Sequence, residues 1–159
     1  MDIYKDWIEI RKHFNRAFRS NFYVSIASVD EDAKPTVTPI GSLFLNGDQT
    51  GFYFEKYPSS LPKYAKTNPE ICALAVNSSM LFWVKSLLRG KFSSSPAIKL
   101  YGVLGAKRQA TEKEISRLQR RMRATRGLKG NSYLWGDMQY IREVKFEKAE
   151  SVRLGKMTD

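Results

Sequence analysis

Residues 22–76 read FYVSIASVDEDAKPTVTPIGSLFLNGDQTGFYFEKYPSSLPKYAKTNPEICALAV. The aromatic and β-branched residues from Phe22 to Val29 predict a strand, and the polar Asp30 to Pro35 stretch predicts a turn. β-Favouring residues resume from Thr36 to Leu45. Asn46-Gly47-Asp48 is the strongest short hairpin signal in the chain. Gly51 to Phe54 resumes the sheet. Pro58 to Lys63 is a small, hydroxylated loop between Lys56 and Lys66, and Asn68-Pro69 stops the helical turn that follows. Ile71 to Val76 is an apolar run of buried-strand length.

Outward from this stretch, Asp2 to Arg19 is an amphipathic helix, with Ile3, Trp7, Ile10, Phe14 and Phe18 recurring at helical spacing. Ser79 to Arg89 is apolar nearly all round, which predicts a buried or interfacial short helix. Ala97 to Ala106 is a strand. Thr111-Glu112-Lys113-Glu114 is a capping-box sequence, and Ile115, Leu118 and Met122 mark the inner face of the helix it starts. Asn131 to Gln139 reads as aromatic and irregular, Tyr140 to Leu154 as the last strand, and Gly155 to Asp159 as a frayed tail. The order is α-β-β-β-α-β-α-β-α-β. Its short early hairpins disfavour parallel crossovers and point to a small antiparallel barrel with helices outside.

The chain has 159 residues, 42% of them hydrophobic, which suits a single domain with a real core. No run is long enough to span a bilayer, and the N-terminus lacks the basic-then-apolar pattern of a secretion signal. A lone cysteine, Cys72, forms no internal disulfide; its apolar neighbours predict a small buried filler. These features predict a cytoplasmic, reduced protein without membrane contact. One Cys and one His do not supply a usual zinc set, and His13 beside the apolar stripe reads as structural. The net charge of +11 attracts anions. Much of it lies between Lys107 and Lys129, read as a solvated helix face plus a basic loop. A nucleic-acid surface is the weaker reading, because no zinc-finger or glycine-rich RNA-binding signature accompanies it.

Two stretches carry candidate chemistry. Pro39 removes a ladder donor, so it belongs on an edge or at a bulge, and Gly41 permits close backbone approach. Exposed main-chain groups along Thr38, Pro39, Ile40 and Gly41 would suit a planar ligand. The second stretch is Phe54, Glu55, Lys56 and on through Ser59, Ser60 and Lys63. A phosphate wants N–H groups, hydroxyls and fixed positive charge, and this loop has all three.

SIASVDEDAKPTVTPIG, then GFYFEKYPSSLPKYAKTNP, then ICALAV, resembles the FMN-binding split-barrel proteins related to pyridoxamine 5'-phosphate oxidase. LYGVLG followed by Thr-Glu-x-Glu fits that family's next strand and helix. The resemblance implies an antiparallel split β-barrel with peripheral helices, mainly β with α, over residues 1–159. It implies FMN as cofactor, with Thr38, Pro39, Ile40 and Gly41 on the ring and the Ser/Lys loop on the phosphate. Counting back from Asn68 puts Leu61 where the family places its phosphate lysine, so Lys63 or Lys56 would substitute. The resemblance further implies a homodimer with the cofactor at its interface, and Trp135 and Arg142 are the candidates for the second chain's contribution. Redox chemistry on a small molecule is the leading function. Non-catalytic flavin binding, a haem or deazaflavin cofactor, and a basic nucleic-acid-binding barrel are the alternatives. Haem is weakened by the single histidine, although a thiolate or tyrosine ligand stays open.

Overall fold

Strands β1 (Val24–Val29), β2 (Pro35–Ile40), β3 (Leu43–Leu45), β4 (Thr50–Phe54), β5 (Glu70–Val76), β6 (Ala97–Gln109) and β7 (Tyr140–Ser151) form one antiparallel sheet. The computed structural model describes residues 1–57 and 60–158. Sheet order is β2-β1-β5-β6-β7-β4-β3. β2 and β3 therefore lie at opposite edges, yet only Gly41 and Ser42 separate them in sequence. Three peptide steps reach at most about 11 Å, so the two edges must approach each other. The sheet meets this constraint by curling into a half-barrel, the split-barrel architecture expected from the sequence.

Among the described residues five α-helices flank it: α1 (Trp7–Asn21), α2 (Ser60–Tyr64), α3 (Met80–Arg89), α4 (Glu112–Arg121) and α5 (Lys129–Trp135). One core lies under α1, where Trp7, Ile10 and Phe14 meet Ile26, Leu100 and Phe146. A second core lies under α4, where Leu118 and Met138 cover Phe44, Phe52, Phe54 and Ile141. The alternation of β4 divides it between them: Tyr53 belongs to the first, Phe52 and Phe54 to the second. The capping box forms as read. The Glu114 N–H donates to Thr111 Oγ1, and the Thr111 N–H donates to the Glu114 carboxylate. Arg108 grips the same carboxylate and holds it at about 2, well below the usual range.

Several expectations are corrected. Phe22 takes a left-handed conformation (φ 64°) as the C-cap of α1, so the first strand starts at Val24. Asn131 to Gln139 is not irregular throughout, because α5 occupies its first half. Cys72 is half-buried rather than a core filler, since its neighbours Ile71 and Ala73 take the inward positions of β5. The tail is not frayed up to Thr158: the Phe92 N–H donates to the Met157 carbonyl at 2.9 Å, and the Leu154 N–H to Thr158 Oγ1. Only Asp159 of that stretch lies outside the described residues. Of the two alternatives for α3, burial within this chain is set aside and an interfacial helix stays open: Met80, Leu81, Val84, Leu87 and Leu88 are exposed, while Phe82 and Trp83 pack on Phe92. The charged region around α4 is only partly a solvated face. Arg117 donates to the Leu45 carbonyl and Asn46 Oδ1, and Arg121 to the Leu43 carbonyl, so both turn in to cap edge strand β3.

His13 is buried, and its Nε2–H donates to the Ala75 carbonyl at 2.9 Å. Nδ1 then has no partner among the described residues. Burial, more than any neighbouring charge, pulls the His13 pKa below its ordinary 6.5. The unfolded chain therefore binds the extra proton first, and stability falls as the pH drops below the ordinary value. Urea unfolding at about pH 7.5 and about pH 5.5 should show this loss, above the range where carboxylates titrate. His13→Gln, which can keep a donor toward Ala75, should flatten that part of the profile.

Candidate functional site

The Gly41–Ser42 link organises the site. Ser42 Oγ is buried and fastens β3 to β4, accepting from the Phe54 N–H at 3.1 Å and donating to the Phe54 carbonyl at 3.3 Å. This brings the end of β2 against the end of β4. Glu55, next after Phe54, is 9% exposed, a burial that requires cationic partners. Arg142 of β7 supplies two hydrogen bonds from Nε and Nη2, Lys107 of β6 lies 3.3 Å away, and Tyr53 donates its hydroxyl at 3.2 Å. Burial alone would raise the Glu55 pKa, but Arg142 and Lys107 outweigh it and hold the group below the ordinary carboxylate range. Burial and the adjacent Glu55 push the Tyr53 phenol well up, so it stays protonated.

On the other side of the link, a Cβ built on Gly41 would lie 2.8 Å from Trp135 Cη2. Only a residue without a side chain lets the indole come this close. α5 carries Trp135, and the Tyr57 hydroxyl donates to the Tyr133 carbonyl, tying α5 to the segment after β4. Tyr57, Tyr133, Leu134 and Tyr140 surround this corner as exposed apolar surface. Lys107 also sits 5.2 Å over the Tyr140 ring.

Of the residues singled out from the sequence, Glu55 and Arg142 pair with each other at the end of β4, and Gly41 and Trp135 meet across the link. Phe54 joins them through its backbone only, because its ring is buried in the second core. Thr38, Pro39 and Ile40 run along β2, paired with Ile26, Ser25 and Val24. Pro39 is exposed on an edge strand, as its missing donor requires, while Thr38 is half-buried and Ile40 buried. Lys63 lies at the far end of β2, 3.3 Å from Glu31 of the β1–β2 turn. Ser60 opens α2 and is exposed; Lys56 is exposed and stacks its ammonium on the Tyr57 ring at 5.3 Å. Ser59 lies outside the described residues. Lys107, Tyr53 and Ser42 were not foreseen. A register shift between Leu104 and Lys107 re-aims Lys107, and Gly105 inside a strand pattern was the available signal.

Among the described residues, no three His, Cys, Asp or Glu side chains group as metal ligands, and no helix is long and apolar enough to cross a membrane. No family model and no curated protein matches the sequence. Solved structures do match the fold. An FMN-binding protein from Syntrophomonas wolfei subsp. wolfei superposes with a TM-score of 0.60 at 16% identity, over 96% of this chain and 95% of the other. A pyridoxinephosphate oxidase family protein from Clostridium acetobutylicum gives 0.55 at 16%, over 96% and 91%. The haem storage protein HutZ from Vibrio cholerae gives 0.57 at 11%, over 95% of each chain. The chain has the fold of the pyridoxamine 5'-phosphate oxidase-like split barrels. At these identities the likeness is one of backbone architecture.

Two substitutions test the corner. Glu55→Gln leaves Arg142 without its anion in a confined place and should lower the unfolding free energy by about 2 kcal/mol in urea titrations. Gly41→Ala should drive the indole of Trp135 off β2, seen as a red shift of tryptophan emission with the fold retained by circular dichroism.

Proposed function

We propose that the chain binds FMN along β2, with the ring at the Gly41 end and the phosphate toward Ser60 and Lys63. The observation that carries this reading is the edge strand itself. From Pro35 to Ile40, β2 offers about 17 Å of backbone that pairs with β1 on one side only. Such an edge can donate to and accept from the polar rim of a flat heteroaromatic ring, and Trp135 closes the ring end. Positive charge stands at the opposite end in Lys63, which would exchange Glu31 for a phosphate. Ser59 would complete the phosphate side, while Lys56, over the Tyr57 ring, stands at the ring end. The FMN-binding structure with this fold supports the choice of a flavin. The haem storage protein of the same fold keeps a second cofactor in view, but among the described residues the one histidine is sequestered on Ala75.

When bound, the flavin would supply redox chemistry toward a small molecule. The protein's part would be to hold ring and phosphate and to shape access. Thr38, Pro39, Ile40 and Gly41 would meet the ring edge through main-chain groups. Arg142, anchored by Glu55, would keep a fixed positive field beside the ring's polar rim. The working unit would be a homodimer with its cofactors at the interface. The exposed Tyr57, Tyr133, Leu134 and Tyr140 support this, because apolar and aromatic side chains around a half-open site are what a partner covers. In that arrangement Trp135 and Arg142 would serve the partner's flavin, or frame the interface beside their own.

Fluorescence titration with FMN and riboflavin tests the phosphate end. Ser60→Ala/Lys63→Ala should weaken FMN by roughly tenfold or more while leaving riboflavin unchanged, the loss expected for charge-assisted hydrogen bonds. Equal FMN affinity in both proteins would remove these residues from the site. Sedimentation with and without FMN tests the assembly. A stable monomer that binds flavin at full affinity would rule out a shared site.

A further inference from the structure

Between α1 and α4, a half-open cavity of about 450 Å3 is floored by Val24 and by Leu43, Phe44 and Leu45 of β3. Arg11, Asn15 and Arg19 line it from α1, spaced four residues apart on one helical stripe. Arg117, Arg120 and Arg121 line it from α4, again on one face. Five guanidinium groups thus surround one hollow. Among the described residues none of the five forms an ion pair with a carboxylate. Glu114, the acid of α4 closest in sequence to Arg117, is taken by Arg108. Two of the five are built in rather than merely displayed. Arg121 donates to the Leu43 carbonyl at 2.6 Å and stacks 3.6 Å over Phe44; Arg117 is held by Leu45 and Asn46.

Like charges crowded on a partly buried wall repel one another and lose solvation, so the empty arrangement is unfavourable. The cost is visible at Arg121, where burial first and Arg117 second push the pKa down to about 9. Paired arginines of this chain behave oppositely: Arg142 and Arg108 are both shifted upward by their carboxylates. An anion in the hollow would supply the missing counter-charge. Guanidinium forks match the paired oxygens of phosphate groups, and a cluster of five favours a ligand with several negative charges.

We infer that the cavity between α1 and α4 is a second binding site, distinct from the proposed flavin site along β2, for a small molecule carrying a diphosphate group. A pocket between two helices fits a compact anion better than a polymer track.

Inorganic pyrophosphate is the probe. Added to the full chain at constant ionic strength, it should raise the unfolding temperature in a saturable way, and isothermal titration should show one site per chain. Arg19→Ala and Arg120→Ala replace exposed residues, so the fold should persist, and each should weaken pyrophosphate by roughly tenfold. FMN binding should be unchanged in both variants, and FMN should not displace pyrophosphate. Stabilisation that sodium chloride or sulfate reproduces at equal ionic strength would overturn the inference. So would competition by FMN, which would make the hollow the cofactor's own site. Displacement by a short single-stranded RNA with a steep salt dependence would instead make this face a nucleic-acid surface.

Discussion

A two-residue link between the opposite edges of one sheet governs this structure. Gly41 and Ser42 leave β2 and β3 no room to stay apart, so seven strands that could have spread flat must curl. The two residues divide the work. Ser42 has a hydroxyl that locks the turn onto the Phe54 backbone, and Gly41 has no side chain, which lets Trp135 lie on the strand end. Closure also sets where charge goes. Glu55 emerges from β4 at the seam, and β7 and β6 deliver Arg142 and Lys107 to meet it.

Four arginines that pack on the sheet fall into two electrostatic groups. Arg108 and Arg142 have bidentate carboxylates and knit β6, β7 and α4 together. Arg117 and Arg121 have only carbonyls, an amide and aromatic faces. Neutral acceptors engage a few of their N–H groups and leave their charge uncompensated among the described residues. The first group rigidifies the corner where the flavin is proposed. The second covers the β3 edge, which would otherwise offer free main-chain groups to another strand.

Local chemistry was legible in the sequence, and long-range geometry was not. Asn46-Gly47-Asp48 forms the β3–β4 hairpin, Pro39 sits on an edge, and Thr111 with Glu114 caps α4, because turn, ladder and cap preferences act over a few residues. Gly41, Glu55, Trp135 and Arg142 could be singled out one by one, but the pairing of Glu55 with Arg142 and of Gly41 with Trp135 depends on how the sheet closes. Lys107 was hidden by a bulge that changes which way a strand residue points. α3 left two alternatives open for another reason: an all-round apolar pattern is the same whether this chain or a partner covers it. The arginines of α4 read as a solvated face because spacing does not reveal the carbonyls of a strand far back in the chain. The docking of the tail onto Phe92 is equally silent in composition.

The pairing of β4 with β7 joins Phe54 to Ile141 across most of the sequence. On the ribosome, the β3–β4 ribbon is therefore made long before the strand that completes it. A lone two-stranded ribbon is marginal in water, and this one bears Phe44, Phe52 and Phe54. Until β7 leaves the exit tunnel, that aromatic face has no cover and the sheet ends in a gap. The gap has the shape of β7, so a nascent chain delayed at this point can accept the same strand from a finished neighbour. Speed of synthesis over the last quarter of the message thus bears on whether the chain closes on itself or on another copy.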